Sequence, residues 1–164
     1  MKKALFPGTF DPPTLGHLDI INRAANLCNK LYIGIANNLN KPDKLFTLAE
    51  KQAMLNLCIK NISNVEVVTF SGLVVECAKA HDVDCIIRGL RSFSDFEYEL
   101  QMALANHKMT GIETIFLPAA ETFSHISSTL IREIASYGGP LQAFVSAEIE
   151  QKIQEKLKAS KPYR

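Results

Sequence analysis

The segment Gly8-Thr9-Phe10-Asp11-Pro12-Pro13-Thr14-Leu15-Gly16-His17 brings a threonine hydroxyl, a glycine pair and a histidine into one short stretch. It follows the apolar run Ala4-Leu5-Phe6 and leads into apolar residues at helical spacing, so it reads as a strand, a tight loop and a helix opening on His17. In an α/β protein the loop after the first strand is where free backbone N–H groups at a helix N-terminus meet a phosphate. Gly16 permits close backbone approach, and an imidazole in the first turn can donate to a phosphate oxygen. A lone histidine at a helix start is more often a cap. Sharing its loop with Gly8, Thr9 and Gly16 favours a functional reading of His17.

Two further segments offer anion chemistry. Arg88-Gly89-Leu90-Arg91 reads as the stretch immediately after a fourth strand, where two guanidinium forks around a glycine can hold separate phosphates. Ile126-Ser127-Ser128-Thr129-Leu130-Ile131-Arg132 follows a fifth strand and opens a helix. One hydroxyl suffices for a cap, whereas three beside free N–H groups also make an anion site. Arg132 is open to a phosphate or a carboxylate partner. Lys41, in the Asn-rich loop Asn37–Pro42, is a mobile charge able to close over a phosphate, although alone it would read as a solvated loop residue. Asp95, Glu97 and Glu99 are spaced by two, which spreads them around a helix and disfavours a shared metal. The sequence carries no Walker A motif, no G-x-G-x-x-G, no nucleophile elbow and no zinc-ligand spacing.

The elements that must position these groups alternate along the chain. Lys3–Phe6, Leu31–Ala36, Val65–Thr69, Asp84–Ile87 and Thr114–Leu117 read as strands. Leu18, Ile21, Ala24, Ala25 and Cys28 recur at helical spacing, as do Ala53, Met54, Leu57 and Cys58, with Thr47 and Glu50 forming a capping box. Leu73–Ala80 and Phe93–His107 supply two more helices. From Ser127 the chain is helical, interrupted by Gly138-Gly139-Pro140 and closed by Glu148–Lys158, with Ala159–Arg164 expected to fray. The pattern implies a Rossmann-like, doubly wound α/β fold: a five-stranded parallel sheet plus C-terminal helices, in a single domain spanning 1–164.

Bulk properties agree. The chain has 164 residues, 47% hydrophobic and 21% charged, with a net charge of +1. That balance offers no field for nucleic acid or an anionic membrane, and no apolar stretch approaches a spanning helix. Without a signal-peptide pattern, and with Cys28, Cys58, Cys77 and Cys85 placed as small buried hydrophobes in three helices and a strand, a reduced, cytoplasmic protein is expected.

Thr14–His17 and Ile126–Arg132 match the T/H-x-G-H and I-S-S-T-x-I-R motifs of the nucleotidyltransferase superfamily. Pro7–Pro12, Phe46-Thr47-Leu48, Val65–Val68, and Arg88–Arg91 running on through Asp95-Phe96-Glu97-Tyr98-Glu99 narrow this. Over residues 2–158 the chain resembles the bacterial phosphopantetheine adenylyltransferase family. The resemblance implies transfer of the adenylyl group of ATP to 4′-phosphopantetheine, giving dephospho-coenzyme A and pyrophosphate by direct in-line attack. It implies His17, Lys41 and Arg91 as catalytic, and Thr9, Lys41, Leu73, Val74, Arg88, Met102 and Asn106 around the acceptor. It assigns Thr9, Phe10, His17, Gly89, Leu90, Arg91, Glu99, Phe123, Ser124, His125, Ile126, Ser127, Ser128 and Thr129 to ATP. Magnesium is implied as ATP's companion ion, with no protein metal site, and the assembly as a homohexamer. Gly72, Val74 and Phe123 depart from the family's usual acid, methionine and tryptophan. Two other readings stand beside this one. One is a sister enzyme with nicotinamide mononucleotide or an alcohol phosphate as acceptor; the other is a nucleotide-binding regulator without turnover.

Overall fold

In the computed structural model, residues 2–37 and 44–160 are described. Five strands form one parallel sheet: β1 (Lys3–Gly8), β2 (Lys30–Ala36), β3 (Val65–Phe70), β4 (Cys85–Leu90) and β5 (Glu113–Pro118). They are ordered β3-β2-β1-β4-β5. The expected strands are all present, each longer by one or two residues, with β4 starting one residue later than expected, at Cys85. The largest difference is at β4, which runs through Leu90, so Arg88 and Gly89 are strand residues paired with Phe116 and Leu117. Only Arg91 lies beyond the strand. The charge and the glycine look like a loop in sequence, yet at the carboxyl end of a central strand the side chains face a cleft rather than the core.

The helices are α1 (Leu15–Ala25), α2 (Leu48–Cys58), α3 (Val74–Ala80), α4 (Phe93–Thr110), α5 (Ser128–Ser136) and α6 (Ala147–Ser160). Helix α1 ends at Ala25, so Cys28 sits beyond it. It still packs in the core, with Sγ donating to Ala24 O at 3.3 Å. Helix α6 continues to Ser160, two residues past the expected end. Residues 161–164 lie outside the described residues.

Strand alternation divides the core. Ala4, Phe6, Ile33, Ile35, Cys85 and Ile87 face α1 and α2 together with Ile21, Ala24 and Leu55. Leu5 and Ile86 face the other side, against Val75 and Ala78 of α3. A third cluster joins Phe46 and Met54 to Ile131, Leu141, Ile149 and Ile153, fixing α5 and α6 against α2. The chain leaves β1 toward β2 and β3 on one side and returns past it to β4 and β5 on the other. The connections after β1 and β4 therefore diverge, which opens a crevice at the carboxyl ends of these adjacent strands.

Candidate active site

That crevice is a cleft of about 310 Å³ lined from four directions. Pro7, Gly8, Thr9 and Phe10 come from β1 and its loop, and Thr14, Gly16 and His17 from the start of α1. Arg88, Gly89, Arg91, Asp95 and Glu99 come from β4 and α4. Phe123, Ile126, Ser127, Ser128, Thr129 and Arg132 come from the turn before α5 and from α5 itself.

The loop after β1 is shaped by Phe10. Its backbone is left-handed (φ 47°), a costly conformation for an aromatic residue, and its ring is fully buried. The ring packs edge-on against Phe6 at 5.6 Å and against His17 at 4.9 Å. It also covers Gly8, where a Cβ would sit 2.8 Å from the ring. Burial of the ring thus offsets the backbone cost and sets the plane of the imidazole above it.

Thr14 caps α1 through a capping box whose third residue is His17. The Thr14 hydroxyl accepts from His17 N at 3.2 Å, and Thr14 N–H donates to Nδ1 at 3.1 Å. Nδ1 is therefore an acceptor, and the ring proton resides on Nε2. Burial, with Arg91 and Arg88 adding repulsion, lowers the His17 pKa from 6.5 to about 4. The imidazole is neutral at physiological pH and offers one N–H donor. At Gly16 a Cβ would meet nothing closer than 3.6 Å. Packing does not require glycine there, which leaves room for something else to approach the backbone.

Three arginines line the cleft, each beside a carboxylate. Arg88 donates from Nε to Glu99 Oε2 at 2.6 Å, from Nη2 to Glu99 Oε1, and from Nη1 to Pro7 O. Arg91 donates to Asp95 at 2.9 and 3.2 Å and to Ile126 O at 3.3 Å. Arg132 donates to Asp11 O at 2.6 Å and lies 4.0 Å from the Asp11 carboxylate. Asp11 is itself buried and accepts from Leu45 and Phe46 N–H, both at 3.0 Å.

The three hydroxyls at the start of α5 have divided duties. Ser127 is the N-cap, accepting from Leu130 N–H at 3.1 Å. Ser128 donates to Pro12 O at 2.8 Å, and Thr129 Oγ1 accepts from Arg132. The first N–H groups of α5 remain outside the intrahelical ladder, as at any helix start. Two helix N-termini, those of α1 and α5, therefore border one cleft, and their dipoles favour an anion between them.

The cleft brings together Thr9, Phe10, His17, Arg88, Gly89, Arg91, Glu99, Phe123 and Ile126–Thr129. Glu99, expected beside ATP, gives both oxygens to Arg88, because an opposite charge lies within reach in a half-buried site. Leu73, Val74, Met102 and Asn106 are not part of the lining; Leu73 precedes α3, Val74 opens it and the other two sit on α4, with Leu73 and Met102 exposed and Asn106 buried. Leu90, Ser124 and His125 also stand outside it. Ser124 turns back to Glu121 O, and the His125 ring lies against Phe144 at 6.2 Å. Lys41 falls outside the described residues. Gly72 has φ +89°, and a Cβ there would lie 2.8 Å from Glu76 Oε2, so this turn is built for glycine in place of the family's acid.

Arg132, open in the sequence to a phosphate or a carboxylate, pairs with Asp11, while Asp11 and Thr14 shape the cleft through contacts that the sequence did not assign. The signal for Arg132 was its position four residues after Ser128, one turn along the same helix face. Nothing comparable marks Asp11, whose partners come from distant segments.

A profile of the cytidylyltransferase-like family matches residues 5–134. The chain is 47% identical over 154 residues to the phosphopantetheine adenylyltransferase of Alkaliphilus oremlandii, covering 93% of this chain and 98% of that relative. It is 46% identical over 157 residues to the enzyme of the same name from Lachnoclostridium phytofermentans, covering 95% of this chain and 96% of that one. Among solved structures, a Vibrio parahaemolyticus protein provisionally assigned as a nicotinate-nucleotide adenylyltransferase superposes with a TM-score of 0.70. It covers 98% of both chains at 17% identity, a likeness of fold.

Proposed function

The chain belongs to the phosphopantetheine adenylyltransferase family within the cytidylyltransferase-like group, and we propose that it transfers the adenylyl group of ATP to 4′-phosphopantetheine. A phosphate oxygen of the acceptor attacks the α-phosphorus of ATP. The new P–O bond forms as the bond from that phosphorus to the bridging oxygen breaks, releasing pyrophosphate and dephospho-coenzyme A.

The observation that carries this reading is the neutral, Nε2-protonated His17 at the meeting point of three arginines and two helix N-termini. Such a site holds phosphates and stabilises charge growing on them without supplying a nucleophile. His17 donates to a nonbridging oxygen of the α-phosphate as its charge rises, a contribution realised mainly in the transition state. Arg88 and Thr9 hold the attacking phosphate, which converts a bimolecular encounter into a positioned one. Arg91 and the N-terminus of α5 take the β- and γ-phosphates, with Phe123 toward the adenine. The pantetheine arm leaves the cleft past Arg88 toward Leu73, Val74, Met102 and Asn106. Lys41 keeps the role that the resemblance gives it.

The carboxylates in the cleft are engaged by arginines and backbone N–H groups. Among the described residues no group of three or more His, Cys, Asp or Glu is placed to hold a metal. Magnesium keeps the place that the resemblance gives it, as ATP's companion ion on phosphate oxygens and water. Exposed Phe93, Tyr98, Leu100, Met102 and Leu104 along α4 support self-association, as the homohexamer expected from the family, and light scattering tests it. No helix among the described residues is long and apolar enough to cross a membrane. Work in the cytoplasm is supported by the reduced-thiol reading of the sequence.

The test is pyrophosphate release with magnesium–ATP and 4′-phosphopantetheine, run beside nicotinamide mononucleotide, and beside glycerol 3-phosphate with ATP or CTP. Release with phosphopantetheine alone, and dephospho-coenzyme A as product, is expected. Release only with another acceptor would overturn the substrate. Binding of ATP by folded protein without release would overturn the catalysis.

A further inference from the structure

Resting on that reading, we propose that Glu99 is a positioning residue whose task is to hold the Arg88 guanidinium in the one orientation that serves the acceptor phosphate. Arg88 sits at the carboxyl end of β4, between β1 and α4. Its Nε and Nη2 engage both oxygens of Glu99 side-on, and its Nη1 donates to the Pro7 carbonyl at 2.5 Å. Three contacts from two elements fix the plane of the group. A guanidinium has five N–H donors, so one remains on each Nη nitrogen for an anion. The Glu99 side chain is only 12% exposed and that of Arg88 29%. Separating them would strand a carboxylate away from water, which is expensive when the partner is removed.

The pair has a second consequence. A free arginine would bring a full positive charge and a flexible stem to the phosphate, and ordering that stem would oppose binding. Locked to Glu99, the group is close to electroneutral and already ordered. It then selects by the direction of its two remaining donors rather than by charge alone. Arg91 is a contrast on the same wall: its Asp95 pair is more open, with side chains 42% and 27% exposed. That pair is free to exchange for a ligand; the Arg88 pair is built to stay.

Glu99→Gln places an amide N–H₂ against guanidinium N–H groups and breaks the fork. Steady-state kinetics with both substrates varied should show the acceptor KM raised about tenfold or more, and by more than the ATP KM. In the Arg88→Ala background the same change should add nothing, because the partner it orients is gone. Glu99→Asp, which keeps the charge but shortens its reach, should fall between wild type and the amide, and carries the same KM split if the amide does not fold. A rise confined to the ATP KM, or full additivity with Arg88→Ala, would overturn the role of Glu99 while leaving Arg88 in place. An unchanged acceptor KM in Arg88→Ala itself would overturn both this inference and the assignment of Arg88 beneath it.

Discussion

His17 keeps its proton on Nε2 because the Thr14 N–H already occupies Nδ1, and burial, with the Arg91 and Arg88 charges, opposes a second proton. His17→Ala should therefore fold, bind ATP with a similar KM and lose about a hundred- to a thousandfold in kcat. A loss confined to KM would place the ring outside the transition state. The pH dependence has a defined sign. The folded pKa of about 4 lies below the ordinary 6.5, so the His17 donor stays neutral through the physiological range and is altered only as pH falls toward that value. The unfolded chain binds the proton first, so stability linked to this ring is complete above pH 6.5 and is lost as pH falls to about 4. Urea midpoints measured across that window should fall more steeply in wild type than in His17→Asn. Of this chemistry the sequence displayed the histidine and its phosphate-binding company. It did not display the tautomer, which depends on the backbone angle at Thr14, or the pairing of Arg88 with Glu99 and of Arg132 with Asp11, which joins residues from separate elements.

The helices differ in what their caps do, and this separates stability from activity. Thr47 and Glu50 form a reciprocal box at α2, with Thr47 N–H donating to Glu50 at 2.7 Å and Lys156 of α6 bonding the same carboxylate at 2.7 and 2.9 Å. Thr47→Ala should cost about 1 kcal/mol in urea unfolding and leave kcat unchanged. Thr14→Ala removes a similar cap but also frees the first turn that carries His17, so kcat should fall along with stability. Equal kcat in both variants would mean that the α1 cap has no catalytic part. At this scale the sequence was largely legible: short β-rich runs between segments of helical apolar spacing located every strand, and the Thr47–Glu50 box marked the start of α2. The end of β4 was not legible, since Arg88 and Gly89 satisfy a strand's hydrogen bonds while facing an open cleft, a placement that composition alone cannot express. The α1 boundary was missed for a related reason, because Cys28 fills an apolar position from a turn.

Over the whole molecule, the cleft depends on a cluster most of which lies behind it. Ile149 of α6 is almost fully buried with Ile131 of α5, and α5 carries Ser127–Thr129 into the cleft. Ile149→Ala should cost about 2–5 kcal/mol of stability and weaken ATP binding, measured by calorimetry well below the melting temperature. The thiols offer a second whole-molecule test. Cys28, Cys77 and Cys85 are buried, and burial raises their pKa values, Cys85 to about 11. Half-buried Cys58 is likewise raised to about 11. Ellman's reagent at neutral pH should modify the native protein slowly and all four thiols promptly in guanidinium; fast native labelling would mean that the core opens.

The bonds from Ser128 to Pro12 and from Arg132 to Asp11 join groups 116 and 121 residues apart in the chain. During synthesis the loop after β1 emerges first, but it lacks these anchors until α5 has cleared the ribosome. Until then the nascent chain carries its histidine without a finished pocket around it. Competence to bind ATP should arrive late, in one step, when α5 folds back onto the loop after β1.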